Sequence, residues 1–185
     1  MFRVLEIRDA TLSDAPAMGK LMVDTWLDAH RFQMPEHLWE ARRRDWTAEV
    51  SERGWRRTIE AIADGSSPHD AVLVACDAGR IVGIASCTVF RERAAVSVSA
   101  LYVLKAYQRN GAGRQLLGAV VSRFTALGLA TMEIAVLKAN LPARRFYESM
   151  GGALAGERAF DEGGEMLPEV VYRWSLSGKS RISEP

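Results

Sequence analysis

Apolar positions along the chain recur with two rhythms, about 3.6 residues and two residues, and the switches between them mark out the elements. Phe2 to Ile7 reads as a short strand. Thr11 and Asp14 then stand at capping-box spacing, with Ser13 as a rival cap and Pro16 in the first turn. The helix they start carries Met18, Leu21, Met22 and Trp26 along one face and fades near Arg31. Phe32 to Pro35 breaks it, and a second helical region is expected from about Pro35 to Ile62, interrupted at Gly54. Its Trp39, Trp46 and Trp55 are of the type that packs helices against a sheet. Asp64 to Pro68 is a loop.

The rhythm then shortens. Ala71 to Cys76 and Ile81 to Phe90 read as strands of a hairpin turned by Asp77-Ala78-Gly79-Arg80. Arg91 to Arg93 turns into a strand from Ala94 to Leu104. A short basic loop with two glycines follows, and helical spacing returns with Leu116, Leu117, Val120, Val121 and Phe124 until Leu127-Gly128. Thr131 to Leu137 is a strand, Asn140 caps a helix over Leu141 to Met150, and Gly151-Gly152 closes it. Two last strands are expected at Ala153 to Arg158 and Glu169 to Leu176, with the acidic loop Asp161 to Glu165 between them. The reading is one α/β domain over residues 1–176 and a polar tail over 177–185.

Composition narrows the classes. A net charge of +1 offers no field for non-specific nucleic-acid binding, and no apolar run is long enough to span a bilayer. Cys76 and Cys87 both sit in apolar strand-like runs, so buried free thiols and a reducing, cytoplasmic setting are expected. His30, His37 and His69 lack metal-ligand spacing, and no metal is expected.

The stretch Leu101-Tyr102-Val103 followed by Gln108-x-x-Gly111-x-Gly113-Arg114 carries the clearest chemistry. A glycine loop that opens a helix leaves backbone N–H groups and a positive dipole end free for an anion such as a pyrophosphate. It is not a P-loop, because Arg114-Gln115 follows Gly113 where Lys-Ser/Thr is needed. Nor is it a dinucleotide fingerprint, since Leu116 stands at the third glycine position. The spacing resembles the Q/R-x-x-G-x-G/A motif of the GNAT N-acetyltransferase superfamily. Downstream, Asn140-Leu141-Pro142-Ala143-Arg144-Arg145-Phe146-Tyr147-Glu148 resembles that family's second motif, and the element order agrees over nearly the whole chain.

The resemblance implies a mixed central sheet with two splayed parallel strands flanked by helices. It implies acetyl-CoA as cosubstrate, with Leu101 and Val103 pairing with the pantetheine arm. Gln108, Arg109, Asn110, Gly111, Ala112, Gly113 and Arg114 would receive the pyrophosphate, the glycines leaving room for its close approach. Lys105 is a weaker candidate for the 3′-phosphate, and Asn140 would hydrogen-bond the arm. Tyr147 aligns with a general acid toward the sulfur. The acceptor would be an amine of a small molecule or peptide, attacked directly in a ternary complex, and a homodimer is compatible with the family.

One departure stands out: many relatives keep a glutamate roughly where Ser97 or Ser99 lies. Water held by either serine, Glu133, Glu162, or an amine of low pKa are the remaining routes to deprotonation. A non-catalytic acyl-CoA-binding module, another acyl donor or a hydroxyl acceptor are the alternative functions. Acceptor choice is expected between Trp26 and Trp55 and from Phe160 to Met166. Aromatic character there comes from His30, Phe32, Met34 and Trp39, and negative charge from Asp161, Glu162 and Glu165.

Overall fold

The computed structural model describes residues 4–67 and 70–177. Seven strands form one mixed sheet: β1 (Glu6–Asp9), β2 (Ala71–Asp77), β3 (Arg80–Phe90), β4 (Ala95–Val103), β5 (Thr131–Leu137), β6 (Ala153–Glu162) and β7 (Glu165–Ser175). Their spatial order is β1-β2-β3-β4-β5-β7-β6, and every neighbouring pair is antiparallel except β4 with β5.

That parallel pair is short. Ala95 to Val98 match Thr131 to Ile134, and beyond Val98 the two strands separate. The separation coincides with a bulge: β3 residues Ser86 and Cys87 face Ala100 and Val98, leaving Ser99 as the extra residue. The bulge also exchanges faces. Val96 and Val98 join the core under α4 (Ala112–Ala126), whereas Ala100 and Tyr102 turn to the core under α1 (Ala15–His30) and α3 (Ala48–Ala63).

Helices cover the two faces unequally. On one, α4 buries Leu116, Leu117, Val120, Val121 and Phe124 against β2 to β5, and α5 (Leu141–Ser149) adds Tyr147. On the other, α1 and α3 set Met18, Leu21, Trp55 and Ile59 over β2 to β4. The two helices meet closely at Gly19, where a Cβ would stand 2.6 Å from the Ala48 carbonyl oxygen. A fifth helix, α2 (Glu36–Asp45), reaches the far side of the sheet, placing Leu38 with Leu137 and Leu167.

The α1 start follows the expected box: the Asp14 carboxylate accepts from the Thr11 backbone N–H and hydroxyl at 2.7 and 2.9 Å. Arg8 grips the same carboxylate at 2.7 and 2.9 Å and holds it well below its ordinary range, at about 2.

Several boundaries differ from the sequence expectation. The first strand is Glu6–Asp9 rather than Phe2 to Ile7. The long helical region divides at Trp46-Thr47, not at Gly54, because extended Thr47 caps α3 by accepting from the Val50 N–H. β6 and β7 run longer than expected and close through Gly163-Gly164, both left-handed, so the acidic loop is a tight hairpin. The remainder of the expected first strand before residue 4, Pro68 of the expected loop, His69, and the tail from residue 178 lie outside the described residues.

Candidate active site

The site grows from the free edge that the splay creates. The Leu104 N–H donates to the Val82 carbonyl at 2.9 Å, so Gly83 and Val103 face each other without exchanging hydrogen bonds. By the alternation of an antiparallel ladder, Leu101 opposite Ala85 is the same kind of position. The N–H groups of Leu101 and Val103 therefore point away from β3, into the gap that β5 has left. The Val103 carbonyl receives the Gln108 side-chain N–H at 2.9 Å, which fixes the loop to the strand end.

From that anchor the chain makes one short turn over Lys105–Tyr107 and enters α4 through two left-handed residues, Arg109 (φ 59°) and Gly111 (φ 86°). Gly111 is needed there because a side chain is strained in that conformation. The first α4 donor with a helical acceptor is Gln115, bonded to the Gly111 carbonyl at 2.9 Å. The N–H groups of Ala112, Gly113 and Arg114 thus lie at the open N-terminus, where the helix dipole is positive. Arg109 and Arg114 are exposed beside it, and Asn110 braces the turn through the Ala106 carbonyl at 3.4 Å.

Gly113 is also hemmed in by α5: a Cβ there would come within 3.3 Å of the Phe146 ring. Lys105 reaches Asp28 of α1 at 3.3 Å in an exposed ion pair.

On the far arm, the Asn140 side chain accepts from the Ala143 N–H at 3.2 Å and caps α5. One turn on, Tyr147 is buried among Phe146, Tyr172 and Trp174, with ring centroids 5.6, 5.8 and 6.1 Å away. Its hydroxyl makes no hydrogen bond among the described residues, and burial alone pushes the phenol well above its ordinary range. Glu148 of the same motif is occupied, accepting from the Tyr172 hydroxyl at 2.5 Å.

Tyr147 approaches the gap from the α4 face, and Tyr102 approaches from the other. Burial raises the Tyr102 phenol, and Tyr147 and Glu169 raise it further, with Arg42 opposing. His30, at the end of α1, lies 6.4 Å from the Tyr102 ring and is stacked 4.5 Å from Trp26. Its Nδ1 donates to the Trp26 carbonyl at 2.8 Å, which fixes the tautomer because a carbonyl only accepts. Burial lowers its pKa, opposed by that bond and by Glu162 and Glu169.

The acids expected as bases are engaged. Arg173 donates to Glu133 at 2.7 Å, and Arg42 forks onto buried Glu162 at 2.9 and 2.6 Å. Glu169 accepts from Arg158 at 2.7 Å. Ser99 sits in the bulge with its hydroxyl on the Ser86 carbonyl, and Ser97 lies beside Glu133 in a surface hollow of about 340 Å³. Asp161 accepts from the Gly164 N–H, and Glu165 pairs with His37.

Of the expected aromatic set, His30 is the member that lies beside Tyr102. Phe32 is exposed, Met34 packs beside Leu38, and Trp39 donates to the Leu27 carbonyl at 3.0 Å. Trp26 and Trp46 instead form the wall, edge to face at 5.6 Å with Arg42 over both. Sequence reasoning missed Tyr102 as a lining group, since it reads as one more apolar residue of β4.

Comparison with known proteins agrees with this arrangement. The family model described as acetyltransferase (GNAT) family matches residues 33–152. An uncharacterized N-acetyltransferase of Bacillus subtilis (strain 168), YuaI, is 27% identical over 176 residues, covering 92% of this chain and 93% of its own. The PaiA N-acetyltransferase of Thermoplasma acidophilum, solved in complex with coenzyme A, superimposes with a TM-score of 0.72 at 16% identity. That match covers 90% of this chain and 98% of the other. A phosphinothricin acetyltransferase of Sinorhizobium meliloti, solved with AcCoA, gives 0.70 at 21% identity over 99% and 94% of the two chains.

Proposed function

Because the chain belongs to the acetyltransferase (GNAT) family, we propose that it transfers the acetyl group of acetyl-CoA to an amine of a small molecule or peptide by direct attack. One observation carries the reading: the unpaired edge of β4 at Leu101 and Val103 leads directly into the open N-terminus of α4. An extended arm ending in a pyrophosphate is the ligand that such a pair of features suits. The coenzymes bound in the two solved acetyltransferases support the choice of CoA over another anion of that shape.

In this reading the pantetheine amides pair with Leu101 and Val103, and the pyrophosphate takes the N–H groups from Gly111 to Arg114. Charge from Arg109 and Arg114 surrounds it. Gln108 acts through the Val103 carbonyl rather than on the phosphate. The Asn140 amide caps α5 with its oxygen and offers its nitrogen to the arm. An N–H on this edge polarises the thioester carbonyl, and Tyr147, kept protonated by burial, gives its proton to the leaving sulfur. Two buried thiols, Cys76 and Cys87, fit a reducing cytoplasmic setting, and no described helix is long and apolar enough to cross a membrane.

Calorimetry with acetyl-CoA and CoA tests the cofactor half, with micromolar binding expected and no heat overturning it. A CoA-release screen over alkylamines, polyamines, amino acids, aminoglycosides and peptides tests the rest. Binding without release from any amine would favour a non-catalytic acyl-CoA-binding module, which the absence of a carboxylate at Ser97 and Ser99 motivates.

A further inference from the structure

We infer that His30 is the base that deprotonates the acceptor amine, an assignment that rests on the acetyl-transfer reading above. With Nδ1–H held by the Trp26 carbonyl, the neutral ring carries its lone pair on Nε2, and Nε2 has no partner among the described residues. The ring is buried, 6.4 Å from the Tyr102 ring of β4 and within the field of Glu162 of β6 and Glu169 of β7. The carboxylates that could compete as bases are committed: Glu133 to Arg173, Glu162 to Arg42, Glu169 to Arg158. Tyr102 is held protonated.

The same turn supplies a second acceptor. Gln33 donates its backbone N–H to the His30 carbonyl at 3.0 Å and buries its side-chain Oε1 with no partner.

The step balances as follows. Nε2 takes one proton from the ammonium and passes it to solvent. The freed lone pair attacks the thioester carbonyl carbon, so a C–N bond forms and the C–S bond breaks. Sulfur leaves with the Tyr147 proton, and the surplus proton on nitrogen restores Tyr147. Net products are the amide, CoA thiol and one proton.

Groups facing His30 set the sign of its pH dependence. Burial depresses its pKa, while the Trp26 carbonyl, Glu162 and Glu169 raise it, and Arg42 and Arg158 neutralise much of those two carboxylates. The base form therefore persists down to a pH below the ordinary histidine value of about 6.5.

The test compares the native chain with His30→Gln on the alkylamine that releases CoA fastest in the screen, and on aniline, which is already neutral at assay pH. Loss of a general base costs about 100-fold or more in kcat/KM for the alkylamine, with the acid limb of the pH profile abolished. Aniline turnover, and CoA affinity by calorimetry, should change less than about threefold. Equal losses with both amines would overturn the assignment and leave a packing role. Undiminished alkylamine turnover in His30→Gln would overturn it while leaving the acetyl-transfer reading intact, whereas absence of CoA binding by the native chain would remove that reading itself. Should His30→Gln fail to fold, ¹⁵N NMR of the native chain decides through the tautomer. A neutral, Nδ1-protonated ring at pH 7 is required, and a charged or Nε2-protonated ring refutes the inference.

Discussion

Replacing Tyr147 by Phe separates chemistry from packing, because the ring and the hydroxyl have different surroundings. The ring touches Phe146, Tyr172 and Trp174, and Phe keeps all of those contacts. The hydroxyl makes no hydrogen bond among the described residues, so its removal breaks none. Stability should then change by less than about 1 kcal/mol, since the usual cost of such a substitution is a lost hydrogen bond. General acid catalysis is worth about 100- to 10,000-fold, or roughly 3–5 kcal/mol at the transition state. Tyr147→Phe should lose kcat by that factor while acetyl-CoA affinity stays within about threefold. Burial holds the phenol above its ordinary value of about 10, so it stays protonated and adds no alkaline limb to the native profile below that pH. Release of CoA can be followed with a thiol reagent, because Cys76 and Cys87 are buried and burial pushes the Cys87 thiol up to about 12. An unchanged kcat would refute the acid role. A fall in kcat matched by an equal fall in cofactor affinity, or a melting temperature lowered by more than about 5 °C, would show that the hydroxyl serves binding or packing instead.

Asp14→Asn should cost about 2 kcal/mol at neutral pH, the worth of lowering a buried carboxyl from 3.8 to about 2. The folded pKa is the depressed one, so this contribution is full above about pH 4 and fades as pH falls through about 2. Urea unfolding across that window checks it, and a pH-independent gap would refute it. Gly19→Ala should destabilise by at least about 1–3 kcal/mol in thermal or urea unfolding, since the 2.6 Å contact is with backbone and the two helices must move apart. Gln108→Leu removes the strap from the loop to the Val103 carbonyl, and acetyl-CoA affinity should fall about fivefold by calorimetry, with the melting temperature little changed.

The geometry of the proposed cofactor half was legible because it depends on short-range features. A left-handed residue at the α4 start asks for Gly111, an α5 cap asks for Asn140, and a buried helix face asks for the Leu116 to Phe124 pattern. Each is satisfied within a few residues of chain, so periodicity and turn chemistry expose it. The acceptor half was not, because its contacts join distant segments. Arg42 and Glu162 are 120 positions apart, and nothing local to Glu162 says that its carboxylate is already held. His30 reads as one aromatic residue among several; its tautomer is set within α1 by the Trp26 carbonyl, but its burial and the field of Glu162 and Glu169 come from distant segments. The second constraint on Gly113 has the same root, since Phe146 approaches from α5, far along the chain.

Ser99 links the two halves. Serine there is poor evidence for chemistry when read as a substitute for a missing carboxylate, and its hydroxyl is turned back onto the Ser86 carbonyl. Its weight lies in the backbone. An extra residue in β4 bends that strand away from β5 after Val98, which frees the Leu101 and Val103 edge for an extended ligand. It also moves Ala100 and Tyr102 to the face opposite Val96 and Val98. Without it, residues 96, 98, 100 and 102 would share one face, and Tyr102 would turn toward α4 rather than toward His30. One inserted residue therefore opens the β4 edge and carries the Tyr102 ring to the face covered by α1. A base placed on the end of α1, outside β4, is compatible with that geometry, which is why the loss of a strand carboxylate does not by itself argue for a silent enzyme.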